Sequence, residues 1–130
     1  METYDVRFLQ EALNDLEEIV LYIAQDSRQA AFRMHGKIID KANDLTIFPK
    51  RGRLVPERKM AAAGYRMLGI KPYIAFYRIV DRNVFIYRVL HGATNYPLLY
   101  EKMAQVDFEA ETLALLMPNN LPTPRPLTPE

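Results

Sequence analysis

The chain has 130 residues, of which 49% are hydrophobic and 25% charged, and its net charge is +1. This length and composition are those of one globular domain with a single core. The absence of cysteine excludes disulfide bonds and thiolate metal sites. No apolar run approaches the roughly 20 residues of a membrane span, and the acidic beginning of the sequence differs from that of a signal peptide. We therefore expect a cytoplasmic protein that does not associate with a membrane.

The small net charge conceals an asymmetry along the chain. Residues 1–44 contain nine acidic and five basic residues, whereas residues 45–90 contain two acidic and ten basic residues. A binding surface for anions on an acidic scaffold has this distribution, although basic strands that merely stay soluble would have it too. The interleaving of basic with aromatic residues favours the binding surface.

The first half of the sequence predicts a strand followed by a helical hairpin. Tyr4–Leu9 alternates apolar and polar side chains, which indicates a short strand. From Gln10 to Gln25 apolar residues recur every three or four positions, and Asp15 falls off their stripe, as in an amphipathic helix with a solvated polar face. Ser27 is suited to cap a second helix that ends near Leu45. The short connection predicts that the two helices are antiparallel.

The second half predicts a basic loop and three antiparallel strands. The loop is Phe48–Gly64, and the strands, rich in β-branched and aromatic residues, are Tyr65–Ile70, Tyr73–Val80 and Val84–Leu90. Asp81–Asn83 is predicted as a three-residue hairpin loop. The predicted fold class is therefore α+β, with an N-terminal strand and a curved antiparallel sheet that packs a helical hairpin on one face.

A three-residue hairpin loop also predicts which side chains share a face of the sheet. It pairs Val80 with Val84, and Phe76 then lies opposite Arg88. One face then contains two arginines among apolar residues, namely Ile74, Phe76, Arg78, Ile86 and Arg88. Arginines on such a face need partners, because a bare charge is not stable beneath packed helices.

The C-terminal part of the sequence differs in character from the rest. We expect the globular domain to span residues 1–100 and a further helix, with apolar residues at near-helical spacing, to span 101–117. Residues 118–130 contain five prolines and are expected to be extended or disordered.

The segment Tyr73–Leu99, YIAFYRIVDRNVFIYRVLHGATNYPLL, resembles the C-terminal half of ParE-type toxins. Those toxins have an aromatic-rich Y-x-x-F-Y-R strand followed by a strand and turn of the form I-x-R-V-L-H-G-A-R-D. Together with the order of the preceding elements, the resemblance covers roughly residues 3–100. It implies a RelE-like fold, membership of the RelE/ParE superfamily of type II toxins, a cognate antitoxin, and growth arrest when the antitoxin is degraded.

The resemblance implies two alternative activities. RelE-type members cut messenger RNA in the ribosome, and the residues that match such a catalytic set are Arg66, Arg88, His91 and Tyr100. An arginine common in the nuclease branch is replaced here by Ile74, and an arginine usual even in ParE-like relatives is replaced by Thr94. ParE-type members inhibit DNA gyrase by binding and need no catalytic residues. The two replacements favour the ParE branch, and they also leave open a degenerate, non-toxic subunit that binds antitoxin.

The candidate residues for binding the target or the antitoxin are six cationic or titratable side chains and one tyrosine, namely Arg51, Arg53, Arg66, Arg78, Arg88, His91 and Tyr96. No cofactor is expected. With only two histidines, one in a helix without a ligand four residues on, no metal site is expected either. The expected partners are the antitoxin and gyrase, or alternatively the ribosome and mRNA. Contact with DNA is expected only through the antitoxin, and the sequence leaves homodimer formation open.

Overall fold

The structure is a computed structural model that describes residues 2–92 and 98–103. Its elements follow the predicted order, with two additions in the basic loop. They are β1 (Asp5–Phe8), α1 (Gln10–Ala24), α2 (Arg28–Asn43), a 3₁₀ turn (Asp44–Thr46), β2 (Arg53–Leu54), α3 (Arg58–Ala62), β3 (Tyr65–Ile70), β4 (Tyr73–Val80) and β5 (Asn83–His91), and residues 98–103 are helical.

The strands form one five-stranded sheet in the order β1-β5-β4-β3-β2. The three predicted strands are its centre and pair antiparallel, while β1 pairs parallel with β5 at one edge and β2 pairs antiparallel with β3 at the other. The predicted α+β class is therefore confirmed. The sheet is larger than the predicted three-stranded sheet, because the predicted N-terminal strand and a segment of the basic loop add to its edges.

The helical hairpin packs on one face of the sheet. Leu16 and Ile38, from the apolar stripes of α1 and α2, meet Tyr77 and Ile86 of the central strands in a buried cluster. As predicted, Ser27 caps α2, since its hydroxyl accepts a hydrogen bond of 3.0 Å from the Ala30 backbone N–H. Burial of this face is the main source of stability for the hairpin, because short helices are marginal alone.

The opposite face of the sheet has a second apolar cluster. Tyr65, Phe76 and Tyr87 of the central strands pack there with Met60 of α3 and Met103 of the last helical segment. The prediction of one irregular loop over residues 48–64 is therefore wrong. Met60 is fully buried, and its burial gives the loop an apolar anchor around which α3 forms.

The β4–β5 connection differs from the three-residue loop expected from the sequence. Val80 pairs with Asn83, so the turn has two central residues, and Asp81 adopts a positive φ of 57°. Asp tolerates this left-handed conformation better than most residues, which permits the tighter turn. The predicted pairing near the turn is thus wrong by one residue, whereas Phe76 does pair with Arg88 because a β-bulge at Phe76/Tyr77 restores the register.

The bulge separates the two arginines that were predicted to share a face. Arg78 lies over the ring of Tyr65, 5.7 Å from its centroid, on the face opposite the helical hairpin. Arg88 instead reaches α1. That part of the face prediction is wrong, because it assumed regular alternation across an irregular strand.

Some predictions concern residues outside the described ranges. These are Tyr96, most of the 101–117 helix and the 118–130 tail. None of the helices within the described ranges combines the length and hydrophobicity needed to cross a bilayer.

Candidate functional site

Arg88 and Asp15 form a bidentate ion pair between β5 and α1. The Arg88 Nε donates to Oδ2 of Asp15 at 2.7 Å and its Nη2 donates to Oδ1 at 2.9 Å. Oδ2 also accepts the backbone N–H of Val89 at 3.0 Å. The hydrogen bond with Asp15 raises the pKa of Arg88. Both oxygens of the Asp15 carboxylate therefore accept hydrogen bonds, and the Nε and Nη2 of Arg88 both donate to them.

The position of this pair follows from the topology. β1 pairs with β5 only as far as Phe8 and Ile86, because the chain turns into α1 at Gln10. The next edge donor of β5, at Val89, is met by the side chain of Asp15 in place of a strand carbonyl. The sequence pattern placed Asp15 off the apolar stripe of the helix, yet its exposed fraction is only 8%.

A groove lies above the pair, between α1 and the end of β5. It has a volume of about 630 Å³, and its lining includes Glu18, Tyr22, Tyr73, Arg88 and His91. The exposed ring of His91 packs edge-on against Tyr73 with centroids 5.3 Å apart. Burial raises the pKa of Tyr73. Two of the predicted residues, Arg88 and His91, therefore share this groove. The charge of Arg88 is already neutralised by Asp15.

A second group of predicted residues lies at the other edge of the sheet, in a segment that we call the basic turn, Pro49–Arg53. Its backbone is held by two side chains of the sheet. The buried Tyr77 hydroxyl accepts from the Gly52 N–H at 2.9 Å and donates to the Pro49 carbonyl at 2.7 Å. Arg66 donates from Nη1 to the Gly52 carbonyl at 2.7 Å. Burial raises the pKa of Tyr77, so its hydroxyl keeps the proton that it donates.

Gly52 is required by the close approach of the basic turn to the sheet. A Cβ atom there would lie 2.6 Å from the Met67 carbonyl oxygen and 2.8 Å from the ring and hydroxyl of Tyr77. Gly52 is buried, whereas its basic neighbours Arg51 and Arg53 are exposed. The turn thus presses its backbone onto the sheet and points its cations outward.

The surroundings of the basic turn are partly apolar. Phe48 is 55% exposed, and the Arg51 guanidinium lies 5.4 Å from its ring centroid. An exposed ion pair of 3.9 Å joins Arg51 to Asp44. A groove of about 610 Å³ next to the turn has Tyr4, Ile47 and Phe48 in its lining. Exposed cations and exposed apolar side chains therefore adjoin one another here.

The predicted site residues fall into separate groups. Arg51, Arg53 and Arg66 meet at the basic turn, and Arg88 and His91 line the α1–β5 groove. Arg78 and Tyr100 both contact Tyr65 on the opposite face of the sheet, where the rings of Tyr100 and Tyr65 lie edge-on 6.3 Å apart. Sequence reasoning missed Tyr77 and Asp15 as partners. The usable signal for Tyr77 was that a tyrosine buried in a central strand needs a partner for its hydroxyl.

The four residues of the hypothetical nuclease set are not gathered in one place. Arg66 pairs with Tyr77 along β4, whereas His91 pairs with Tyr73, four residues away. At about 3.3 Å per residue, this separates them by about 13 Å along the strands. Tyr100 lies on the other face. In the described ranges no three His, Asp or Glu side chains are grouped so that they could hold a metal ion.

Known proteins resemble this chain in sequence and in fold. A family model described as the ParE toxin of the type II toxin–antitoxin system parDE matches residues 6–96. The chain is 37% identical over 82 residues to Toxin RelE2 of Caulobacter vibrioides, an alignment that covers 63% of this chain and 88% of that toxin.

Solved structures have the same fold. The chromosomal ParDE toxin–antitoxin system from P. aeruginosa aligns with a TM-score of 0.58 at 19% identity, covering 70% of this chain and 98% of that chain. The toxin–antitoxin complex RelBE2 from Mycobacterium tuberculosis aligns with a TM-score of 0.54 at 28% identity, covering 72% and 97%. At 19% identity, the likeness to the ParDE structure concerns the fold alone. Since the family model spans most of the chain, this protein belongs to the ParE toxin family of type II toxin–antitoxin systems, within the RelE/ParE superfamily.

Proposed function

We propose that this toxin arrests growth by binding and inhibiting DNA gyrase, and that a cognate antitoxin neutralises it. The observation that carries the proposal is the Asp15–Arg88 pair. Cleavage of an RNA phosphodiester requires cations that are free to stabilise the charge developing on the phosphate. Arg88, one of the two arginines of the nuclease hypothesis, donates from Nε and Nη2 to both oxygens of a buried carboxylate.

Release of Arg88 toward a substrate would be unfavourable. It would leave the carboxylate of Asp15 without its counter-ion in a site where that side chain is 10% exposed. An unpaired charge in such a site costs several kcal/mol. We therefore assign Arg88 to the architecture of the α1–β5 junction.

The remaining candidates support a binding function as well. Arg66 holds the basic turn, and Tyr100 packs on Tyr65 across the sheet from His91. General acid–base catalysis needs its groups within hydrogen-bonding reach of one substrate atom or of a bridging water. Their distribution over both faces of the sheet does not meet that condition, whereas binding to a protein requires only surfaces.

The antitoxin is proposed to cover the outer surface of the helical hairpin. Leu21 of α1 and Phe32 of α2 are 61% and 71% exposed, and Phe32 borders a small apolar groove of about 120 Å³. An exposed apolar patch of this kind is typical of a protein-binding surface. The similar ParDE and RelBE2 structures are of toxin–antitoxin systems, which is the kind of partner proposed here.

A ribosome-dependent mRNA endonuclease is the second candidate. It is favoured by the 37% identity to a toxin named RelE2. A degenerate subunit that binds antitoxin without being toxic is the third candidate, motivated by Ile74 and Thr94 in place of arginine.

A supercoiling assay with purified gyrase, run beside an in vitro translation reaction, separates these candidates. We expect the purified toxin to block supercoiling, to leave messenger RNA intact, and to lose its effect when antitoxin is added. Intact supercoiling together with cleaved message would replace this proposal by the nuclease. Normal growth on induction without antitoxin would favour the degenerate subunit.

A further inference from the structure

The basic turn is fixed to the sheet more firmly than a solvated loop requires. Phenylalanine would fill the core as well as Tyr77 does, yet the Tyr77 hydroxyl both accepts from and donates to the backbone of this turn. Arg66 donates to the Gly52 carbonyl, directly after the Gly52 N–H that Tyr77 accepts. Three side-chain hydrogen bonds therefore fix a segment of five residues.

The anchoring determines what the turn displays. Lys50, Arg51 and Arg53 are all exposed around the buried Gly52. Fixing the backbone beforehand lowers the conformational entropy that is lost when such a surface binds a partner. The nearby acidic residue Asp44 engages Arg51 only through an exposed contact of 3.9 Å, which competes weakly with a partner.

The neighbouring side chains indicate the chemistry of that partner. Ile47 is 43% exposed and Leu54 is 44% exposed, so aliphatic surface flanks the cations on both sides of the turn. A nucleic-acid backbone offers phosphates but little aliphatic surface, whereas a protein surface can offer carboxylates beside apolar side chains. We propose that the basic turn is the surface through which this toxin contacts an acidic patch on its protein target.

We assign the turn to the target because the antitoxin is proposed to cover the outer surface of the helical hairpin, away from the turn. A stable complex buries well over 1,000 Å², as a rough guide, and a segment of five residues supplies only part of that area. Charged contacts of this size chiefly accelerate association and make it dependent on salt. The inference rests on the proposed function in one respect, namely that the toxin acts by binding a protein.

Charge reversal at the turn tests the inference. Lys50→Glu/Arg53→Glu reverses two exposed cations at the turn, and Lys71→Glu/Lys102→Glu makes the same change in charge at two exposed positions outside the turn and the helical hairpin. For both double variants we first verify that thermal unfolding is equal. We then measure growth arrest on induction, affinity for purified gyrase at several salt concentrations, and affinity for antitoxin. We expect only the turn variant to lose growth arrest, to bind gyrase at least about tenfold more weakly and to show a lower salt dependence.

Tyr77→Phe tests the role of the anchor separately, because it keeps every cation. We expect the affinity for gyrase to fall about threefold through faster dissociation while the salt dependence stays that of the wild type. A purely structural role for Tyr77 would lower the stability and leave the dissociation rate of the folded toxin unchanged.

Several outcomes would overturn the inference. Undiminished growth arrest in the turn variant is one, equal losses in both double variants is another, and loss of antitoxin binding with retained gyrase binding is a third. A wild-type toxin that arrests growth without binding gyrase would refute the proposed function alone, and the two growth measurements would still decide whether the turn contacts the target. Cleavage of message by the wild type would make the ligand a nucleic acid and refute both.

Discussion

Asp15 accepts two hydrogen bonds from the guanidinium of Arg88, 73 residues later in the sequence, and so joins the first helix to the last strand. The same carboxylate accepts the Val89 N–H at the point where β5 extends beyond the end of β1. One side chain thus completes both the charge balance and the backbone hydrogen bonding of this edge.

Removal of Arg88 is expected to destabilise the fold strongly. Arg88→Met leaves the buried carboxylate of Asp15 without its counter-ion, and we expect the free energy of unfolding to fall by about 3 kcal/mol. Denaturant unfolding measures this loss. Asp15→Asn/Arg88→Met, which removes both charges, is expected to be more stable than Arg88→Met alone, and a double variant that is less stable would refute the assignment.

Tyr77→Phe is expected to lower the free energy of unfolding by about 1–2 kcal/mol, because it leaves the Gly52 N–H and the Pro49 carbonyl without their partner. Hydrogen exchange at Gly52 should accelerate. The matched control is Tyr73→Phe, since the Tyr73 hydroxyl makes no hydrogen bond to any residue in the described ranges. Equal losses in the two variants would show that the hydroxyl does not anchor the turn.

Gly52→Ala is expected to destabilise the protein by about 2 kcal/mol, because its new methyl group would meet a backbone carbonyl and a fixed tyrosine ring. Thermal unfolding measures the effect. A neutral result would mean that the basic turn can move away from the sheet without loss.

Gly36→Ala is expected to have the opposite effect. Gly36 lies inside α2, and a Cβ atom there would meet nothing within 4 Å. Alanine should therefore raise the free energy of unfolding by about 0.5–1 kcal/mol, since it removes backbone entropy from the unfolded chain. A loss of stability would contradict this, and a change in antitoxin affinity would assign Gly36 to the interface.

His35 is expected to make the stability depend on pH. Its Nε2 is buried without a hydrogen-bond partner in the described ranges, and burial lowers its pKa below 6.5. The unfolded chain then binds a proton more readily than the folded one, so stability is lost as the pH falls below about 6.5 toward the lower pKa of the folded state. Unfolding measured from pH 8 to pH 5 should show this loss in the wild type and less of it in His35→Gln. Parallel curves would refute it.

The sequence by itself determined the local elements and the family. Apolar spacing located α1 and α2, Ser27 marked the start of the second helix, and β-branched and aromatic residues in Tyr73–Val80 located the central strand. These features depend on residues within a few positions of one another, which is why periodicity and capping reveal them. The aromatic strand and the RVLHGA segment carried the resemblance that the family model bears out.

Only the tertiary structure decided register, partners and faces. The bulge that separates Arg78 from Arg88 depends on how β4 and β5 pair, and no local sequence pattern predicts it. From the sequence alone, Asp15 resembles a solvated helix residue. In the structure β1 ends at Phe8, and Asp15 accepts the Val89 N–H of β5 beyond that end. The Tyr77 hydroxyl finds the basic turn 25 residues earlier in the chain. Such contacts join positions far apart in sequence, so their partners are fixed by the packing of the whole domain rather than by the residue types alone.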